Sequence, residues 1–173
     1  MLVRGFSGGH DLINERHCDL GKAFWHDSAA ALREDGNVLF AIEEERLNRI
    51  KHTNKLPTQA IRACLASRNI RLSDIDIFAY YEEDLQRWLR MSLFEKPREA
   101  PSLDANIFLR DCFRRGFGEE VDAKKFRLVH HHYAHAMSAF ALSGYESSLV
   151  ITLDGEGEQC SGLALTFWFA ELV

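Results

Sequence analysis

The chain has 173 residues, of which 46% are hydrophobic and 27% charged, and this composition excludes collagen-like, low-complexity and intrinsically disordered proteins. It carries 21 basic and 26 acidic residues, a formal net charge of −5, so no overall positive field attracts a nucleic-acid backbone. The length suits one ordinary domain with a proper core, or part of a larger protein.

The cysteines and the apolar stretches indicate a cytoplasmic protein without a membrane segment. The four cysteines lie far apart, without the spacing of a disulfide framework or a zinc knuckle, so we expect reduced thiols. The amino terminus lacks the apolar core of a secretory signal. The longest apolar stretch, 163–173, is much shorter than the about 20 residues of a membrane helix.

The first half of the sequence predicts an α/β fold. We expect a strand over 2–7 and a hairpin whose strands, 28–32 and 37–42, are joined by the turn dipeptide Asp35-Gly36. Alternation over 74–81 favours a further strand. Between them, a helix follows Pro57 and presents one apolar face, formed by Ala60, Ile61, Cys64 and Leu65. Paired strands, a helix and another strand are typical of an α/β fold.

The second half predicts further helices and a second pair of strands. Apolar spacing suits helices over 85–93, 107–117 and 131–142, the last preceded by a short strand at Leu128 and Val129. Strands are expected over 148–153 and 162–169, on either side of a glycine-rich turn. Because this second pair would leave an exposed edge at the end of the chain, we expect the sequence to be a fragment of something longer.

Four of the eight histidines lie within six positions, in the segment His130-His-His-Tyr-Ala-His135. Residues four apart on a helix project from the same face, so His131 and His135 can converge on one metal ion, and His132 with His135 is the competing pair. Four imidazoles this close would repel one another on protonation unless something organises them. The cluster therefore predicts a metal site.

The histidine cluster does not match a zinc protease, because that mechanism needs a glutamate directly after the first histidine, where this chain has His132. Two imidazoles also leave a metal site incomplete, so a third ligand must come from elsewhere. Asp154 follows a predicted strand beside Gly155 and Gly157, a position that suits a phosphate or metal contact. An ordinary Asp-Gly hairpin turn is the competing interpretation.

Two polar segments flank the first hairpin. His26 and Asp27 lie where a loop enters it. The run 43–52 that follows it is typical of a solvated, charged face. Its functional interpretation is a site for a small phosphate, in which neighbouring carboxylates fix the cations. The basic group of this run consists of Arg46, Arg49, Lys51 and His52.

Several of these segments occur together and in a particular order. They include His26-Asp-Ser-Ala-Ala-Ala-Leu, Glu43-Glu-Glu-Arg-Leu-Asn-Arg-Ile-Lys-His, His131-His-Tyr-Ala-His-Ala and Leu153-Asp-Gly-Glu-Gly-Glu. In this order, over 24–158, the sequence resembles the amino-terminal part of the NodU/CmcH carbamoyltransferases. That family includes nodulation-factor, cephem-antibiotic and aminoglycoside O-carbamoyltransferases.

The resemblance implies a Kae1-like lobe of the actin/sugar-kinase/Hsp70 superfamily, an α/β fold in which helices flank a mixed sheet. Residues 1–145 would form its first subdomain and 146–173 the truncated start of the second. In such enzymes a YrdC-like domain makes carbamoyl-adenylate from carbamoyl phosphate and ATP, and the Kae1-like domain transfers the carbamoyl group to a hydroxyl acceptor. The YrdC-like domain is missing from the sequence, so we expect it as a partner and expect the fragment alone to be inactive.

The resemblance also implies roles for individual residues. His131 and His135 match the family's ligands for Fe(II) or another divalent metal, and Asp154 matches its strand-end aspartate, which we expect to be catalytic. His26 is the candidate base for a hydroxyl of a small-molecule or sugar acceptor, and ATP with Mg²⁺ would act with the missing domain. The substrate-binding residues expected at the carbamoyl and phosphate pocket are Lys51, His52 and Arg49.

Two other interpretations remain open. The chain could be an inactive lobe that acts as a binding or structural module. It could also be a relative that acts in tRNA threonylcarbamoylation, which shares the pair of histidines four residues apart. The segments that begin at His26 and Glu43 favour the O-carbamoyltransferases, and the acidic charge does not assist tRNA binding.

Overall fold

The computed structural model describes residues 1–13, 27–81, 104–154 and 164–171, with the backbone alone for 154 and 164–171. These residues belong to two compact units, the first formed by 1–80 with 104–127 and the second by 81 with 128–171. Over the described ranges, no helix combines the length and the apolar character that crossing a membrane requires.

A five-stranded mixed sheet is the centre of the first unit. Its strands are β1 (Leu2–Ser7), β2 (Ala29–Glu34), β3 (Asn37–Glu43), β4 (Ile77–Tyr80) and β5 (Phe126–Leu128), arranged in the order β3-β2-β1-β4-β5. β2 pairs antiparallel with β1 and with β3, and β4 runs parallel to β1. The expected hairpin is confirmed, with the expected Asp-Gly dipeptide between its strands. The predicted short strand at 128–129 begins earlier, at Phe126.

The helices of the first unit are the single turn α1 (Glu45–Asn48), α2 (Thr58–Ala66) and α3 (Ala105–Phe117), with 3-10 turns at Leu72–Asp74 and Ala123–Lys125. The apolar face predicted for α2 is confirmed, because all four of its residues are buried. α3 begins two residues before its predicted start, since the Asp104 carboxylate accepts hydrogen bonds from the N–H groups of Asn106 and Ile107. The helix predicted over 85–93 lies outside the described residues.

One face of the sheet is covered by α2 and α3. Leu32 and Phe6 are buried on this face, and the Phe113 ring of α3 packs against Phe6 and Phe78 at centroid distances of 5.2 and 5.1 Å. Cys64 of α2 and Cys112 of α3 are buried beneath this face. Because side chains alternate along a strand, Gly5, Ala31 and Ala41 lie in register on the opposite face.

The second unit contains α4 (His131–Ser143) and the antiparallel pair β6 (Ser147–Asp154) and β7 (Ala164–Glu171). The pairing runs from Ser147 opposite Glu171 to Asp154 opposite Ala164. The helix and both strands were expected from the sequence, and the mixed α/β class is confirmed. The subdomain boundary after residue 145 stays a prediction.

Candidate functional site

A cavity of about 570 Å³ opens on the face of the sheet opposite α2 and α3. Gly5, Ala31 and Ala41 line it, and a Cβ atom built at Gly5 would meet nothing within 4 Å, so the small side chains of adjacent strands keep the space open. Ser7, Glu43 and Arg46 contribute its polar lining. A cavity of this size accommodates a small-molecule ligand.

Two of the three glutamates in the run 43–45 lie close to Arg46, and the third caps a helix. Glu43 pairs with Arg46 at 2.9 Å, and Arg46 also lies 3.5 Å from Glu45. Glu44 is buried and turns away from the cavity, toward the first turn of α2, where it accepts backbone hydrogen bonds from Ala60 and Gln59. Burial raises the pKa of Glu44, and these two hydrogen bonds act in the opposite direction. We expected neighbouring carboxylates to hold the cations of this run in position, and Glu43 and Glu45 lie beside Arg46 in this way.

The side chains of Asp27 and His52 meet, although 25 residues separate them in the chain. Asp27 Oδ1 lies 2.7 Å from His52 Nδ1, and Glu45 accepts a 2.9 Å hydrogen bond from the backbone N–H of His52. Ligand atoms of all three residues lie within 4.8 Å of one another. Asp27 and His52 both have positive φ, of 51° and 52°, a left-handed conformation that is uncommon among non-glycine residues and in which aspartate and histidine are enriched.

Ser28 anchors the backbone next to both residues. Its backbone N–H donates to the Thr53 carbonyl at 3.0 Å, and its hydroxyl lies 2.6 Å from the Lys55 carbonyl and 3.0 Å from that of Thr53. Its own carbonyl accepts a 2.8 Å hydrogen bond from the N–H of Glu44. Gly8 packs so closely that a Cβ atom there would lie 2.0 Å from the Ser28 hydroxyl oxygen. Ser28 therefore joins the segments that carry Asp27, Glu45 and His52.

The remaining cations of the predicted basic group behave differently from Arg46. Arg49, which has a positive φ of 64°, and Lys51 are both exposed. Within 1–13, 27–81 and 104–154, no hydrogen bond or ion pair engages the Arg49 guanidinium or the Lys51 ammonium group. These two charges are therefore available to an anionic ligand.

The predicted histidine pair lies in the second unit. His131 Nε2 and His135 Nε2 are 3.1 Å apart, with ring centroids at 4.5 Å, so the pair four residues apart converges. The competing pair does not, because His132 is buried whereas His135 is exposed. Two nitrogens bound to one metal at about 2.1 Å lie roughly 3.0 to 3.4 Å apart, so the residues present fit a shared metal ion.

Other predicted site residues are described less completely. His26 lies outside the described residues, and Asp154 is described by its backbone alone, at the end of β6. Among the described histidines, cysteines and acids, no group of three converges around His131 and His135. The expected third metal ligand stays a prediction.

Sequence reasoning did not find the Asp27–His52 contact, the Ser28 anchor or the role of Glu44 at α2. Both residues of the first pair lie in segments that the sequence singles out, and His52 is itself a predicted substrate-binding residue. Nothing in the spacing of those segments indicated that a carboxylate in one would meet an imidazole in the other.

Comparison with known proteins identifies relatives over most of the chain. The family model described as carbamoyltransferase N-terminus matches residues 16–168. Nodulation protein NolNO of Sinorhizobium fredii is 47% identical over 165 residues, which make up 94% of this chain and 24% of that protein. An uncharacterized protein of Synechocystis is 36% identical over 152 residues, or 79% of this chain and 25% of that protein.

A shorter relative is also similar. An uncharacterized 19.2 kDa protein of Rhizobium etli is 51% identical over 81 residues, which make up 47% of each chain. By contrast, the chain spans about a quarter of the length of NolNO and of the Synechocystis protein.

Proposed function

Because the chain belongs to the carbamoyltransferase family whose amino-terminal part it matches, we propose that it is the amino-terminal part of an O-carbamoyltransferase. The reaction would transfer a carbamoyl group, derived from carbamoyl phosphate with ATP, to a hydroxyl of a small-molecule or sugar acceptor. The observation that carries this proposal is the pair of exposed cations Arg49 and Lys51. They lie on the loop after the cavity-lining Arg46, and no described carboxylate pairs with them.

Arg49, Lys51 and His52 would bind the phosphate of the donor. Fixed positive charge near the carbamoyl carbon also stabilises the oxyanion that develops when a hydroxyl attacks it. His26 is the proposed base for the acceptor hydroxyl. The cavity over Gly5 and Ala31 offers space for the small groups that must meet there.

His131 and His135 would hold a divalent metal, proposed to be Fe(II), and their 3.1 Å Nε2 separation supports this assignment. When bound, such a metal supplies Lewis-acid stabilisation of negative charge on oxygen. Asp154, at the end of β6, is proposed as a catalytic group that contacts phosphate or metal. The two histidines are one turn apart on α4, so the helix itself places their Nε2 atoms close together.

The fold proposed for the complete catalytic unit is the Kae1-like arrangement of the actin/sugar-kinase/Hsp70 superfamily. The mixed sheet with flanking helices supports it, as does the second unit, in which an antiparallel pair of strands occurs again. ATP with Mg²⁺ and a YrdC-like domain are the further components proposed for the reaction. We infer that this domain acts as a partner of the described units.

Complementation tests the proposed function. The 173-residue chain would be mixed with a polypeptide equivalent to the last three quarters of NolNO, roughly the part beyond the matched region. The mixture would receive ¹⁴C-carbamoyl phosphate, ATP, Fe(II) and a panel of sugar acceptors. We expect labelled carbamate esters from the mixture and from neither component alone.

Matched variants make this test specific for the site. Arg49→Ala with Lys51→Ala should remove transfer, whereas the exposed pair Arg68→Ala with Lys124→Ala should leave it unchanged. Folded components that form no carbamate ester with any acceptor, or equal activity of the two double variants, would contradict the proposal.

A further inference from the structure

One face of β6 carries three large apolar side chains that are open to solvent. Leu149, Ile151 and Leu153 alternate along the strand, and their exposed fractions are 62%, 56% and 66%. Because successive side chains of a strand point to opposite faces, these three lie on the same face. A single exposed apolar residue is common on protein surfaces, but a contiguous apolar patch marks an interaction surface.

The register of the second strand pair continues this patch. Positions 149, 151 and 153 of β6 stand opposite Phe169, Phe167 and Leu165 of β7. Residues that stand opposite one another in an antiparallel pair share a face of the sheet. All six positions of this face are therefore leucine, isoleucine or phenylalanine. We refer to these six positions as the β6–β7 apolar face.

The other face of β6 is covered by α4. The helix packs against the strand, and its residues Ala136 and Phe140 are buried. On this side Thr152 is buried, and Ser148 and Val150 are half-buried. The covered face of the strand is thus more polar than the exposed one. Strands with apolar residues on both faces are typical of sheets that are covered on both faces.

We propose that the β6–β7 apolar face is the docking surface for the rest of the carbamoyltransferase polypeptide, and that an amphipathic helix of that polypeptide lies along it. This inference rests on the proposed function, which takes the chain as the amino-terminal part of a longer enzyme. The matched residues make up 24% of NolNO and 25% of the Synechocystis protein. In each relative, this region is therefore joined covalently to further polypeptide about three times as long.

The dimensions of the face fit one helix. Leu149 and Leu153 are four residues apart, which corresponds to roughly 13 Å along a strand, and neighbouring strands lie about 5 Å apart. A helix about 10 Å wide covers two strands, and roughly nine helical residues span this length at about 1.5 Å per residue. The helix would present an apolar stripe to the face and polar residues to solvent.

A second copy of the chain is the competing occupant. The face measures only roughly 13 by 10 Å, including the side chains at its borders. A stable dimer buries about 800 Å² on each partner, so pairing through this face alone would be weak. A covalently joined segment needs less contact area, because its effective concentration beside the face reaches the millimolar range. The small area therefore favours the polypeptide that is joined to this region in the longer relatives.

Thiol labelling at position 151 tests the proposal. Ile151→Cys would be made in the 173-residue chain and in a fusion of this chain with the last three quarters of NolNO. We expect a maleimide to label position 151 at least about tenfold more slowly in the fusion, because the docked helix must open before the thiol is reached. Peptide mass spectrometry would distinguish the label at position 151 from labels on the native cysteines.

Val38→Cys is the matched control for this labelling. Val38 is 61% exposed and also lies on a strand, β3. Its labelling should be equally fast in the chain and in the fusion. Circular dichroism of each variant shows whether it has folded.

Polar substitution provides a second measurement that does not depend on a thiol. Leu149→Thr with Ile151→Thr retains residues that favour a strand but removes apolar contact area. This double variant should weaken association of the 173-residue chain with the separate NolNO polypeptide at least about tenfold. Val38→Thr should leave the association unchanged. Interferometry measures each affinity.

Three results would overturn the inference. The first is equal labelling of position 151 in the folded chain and the folded fusion. The second is association with the NolNO polypeptide that the double variant does not change. The third is a dimer of the 173-residue chain that the double variant dissociates, which would assign the face to a second copy instead.

Labelling and carbamoyl transfer separate this inference from the proposed function. Protection of position 151 in a fusion that forms no carbamate ester with any acceptor would support the docking surface and refute the function. Carbamate formation by a fusion in which position 151 is labelled as fast as in the chain would do the reverse.

Discussion

The Glu44 carboxylate lies across the amino terminus of α2, where it accepts a 2.7 Å hydrogen bond from the backbone N–H of Ala60. Its other oxygen accepts from Gln59 at 3.2 Å. The residue that directly precedes α2, Pro57, provides no side-chain cap. The Glu44 carboxylate therefore caps α2 from a segment that lies earlier in the chain. It connects the loop that carries Arg49 and Lys51 to the sheet face that α2 covers.

Glu44→Ala should lower the free energy of unfolding by about 2–3 kcal/mol, because two backbone N–H groups lose their acceptor. Glu44→Gln should cost about 1 kcal/mol, since its amide oxygen can still accept one bond. Urea unfolding measures both values. Glu43→Ala, at an exposed position one residue earlier, is the control and should change stability by less than about 0.5 kcal/mol. Equal losses at the two positions would contradict the capping role.

Gly8→Ala should disturb the site through Ser28. The new Cβ atom would fall 2.0 Å from the Ser28 hydroxyl oxygen, at a φ of 110° that side chains rarely adopt. We expect a loss of about 2–4 kcal/mol in the free energy of unfolding.

Gly118→Ala is the matched control for this substitution. Its φ of 73° is also left-handed, but nothing lies within 4 Å of the added atom. It should cost only about 1 kcal/mol. Thermal unfolding of the two variants compares them, and similar losses would mean that the contact with Ser28 is unimportant.

His10 should make the fold sensitive to acid. It is buried against the Tyr80 and Phe108 rings, at centroid distances of 5.4 and 4.9 Å, and burial followed by the charge of Arg115 lowers its pKa to about 3. The unfolded chain binds a proton near pH 6.5 and the folded one does not, so protonation favours unfolding as pH falls from 6.5 toward 3.

Each pH unit in that window should lower the folding equilibrium constant by up to about tenfold. Urea midpoints of the wild type and of His10→Phe, measured from neutral pH downward, test this expectation. The variant should lose less stability in acid than the wild type. A His10→Phe profile parallel to the wild type would contradict the assignment.

His131→Ala and His135→Ala should each weaken the binding of Fe(II) or Zn²⁺ at least about tenfold, because each removes one of two converging nitrogens. Calorimetry under anaerobic conditions measures the affinity. His52→Gln controls for imidazole binding elsewhere and should leave this affinity unchanged. Metal binding that is insensitive to both α4 substitutions would exclude the pair as ligands.

Local features of this fold could be predicted from the sequence. The first hairpin has its Asp-Gly dipeptide, and α2 has its apolar face, because turns and helix faces depend on residues close together in the chain. The convergence of His131 and His135 is local for the same reason. Each of these features depends on the geometry of one turn or one helix.

The other features of the candidate site depend on contacts between segments that are distant in the chain. Asp27 and His52 meet only because β2 and β3 fold back and Ser28 fixes the following loop. Glu44 belongs to a run that the sequence predicts to be solvated. It is buried instead, because its carboxylate accepts a hydrogen bond from the first turn of α2. No short-range pattern encodes either contact. The basic group could therefore be predicted, but not its division into Arg46, which pairs with carboxylates, and Arg49 and Lys51, which pair with no described side chain.

Binding of the carbamoyl donor to the loop after α1 is the most direct test of the proposed site. Carbamoyl phosphate would be titrated calorimetrically into the 173-residue chain, into Arg49→Ala with Lys51→Ala, and into the control Arg68→Ala with Lys124→Ala. We predict binding by the wild type and the control, and a loss of at least about tenfold in the site variant, because two nearby positive charges are removed. Equal affinity for all three proteins, or no binding by any of them, would contradict the assignment of this loop to the donor.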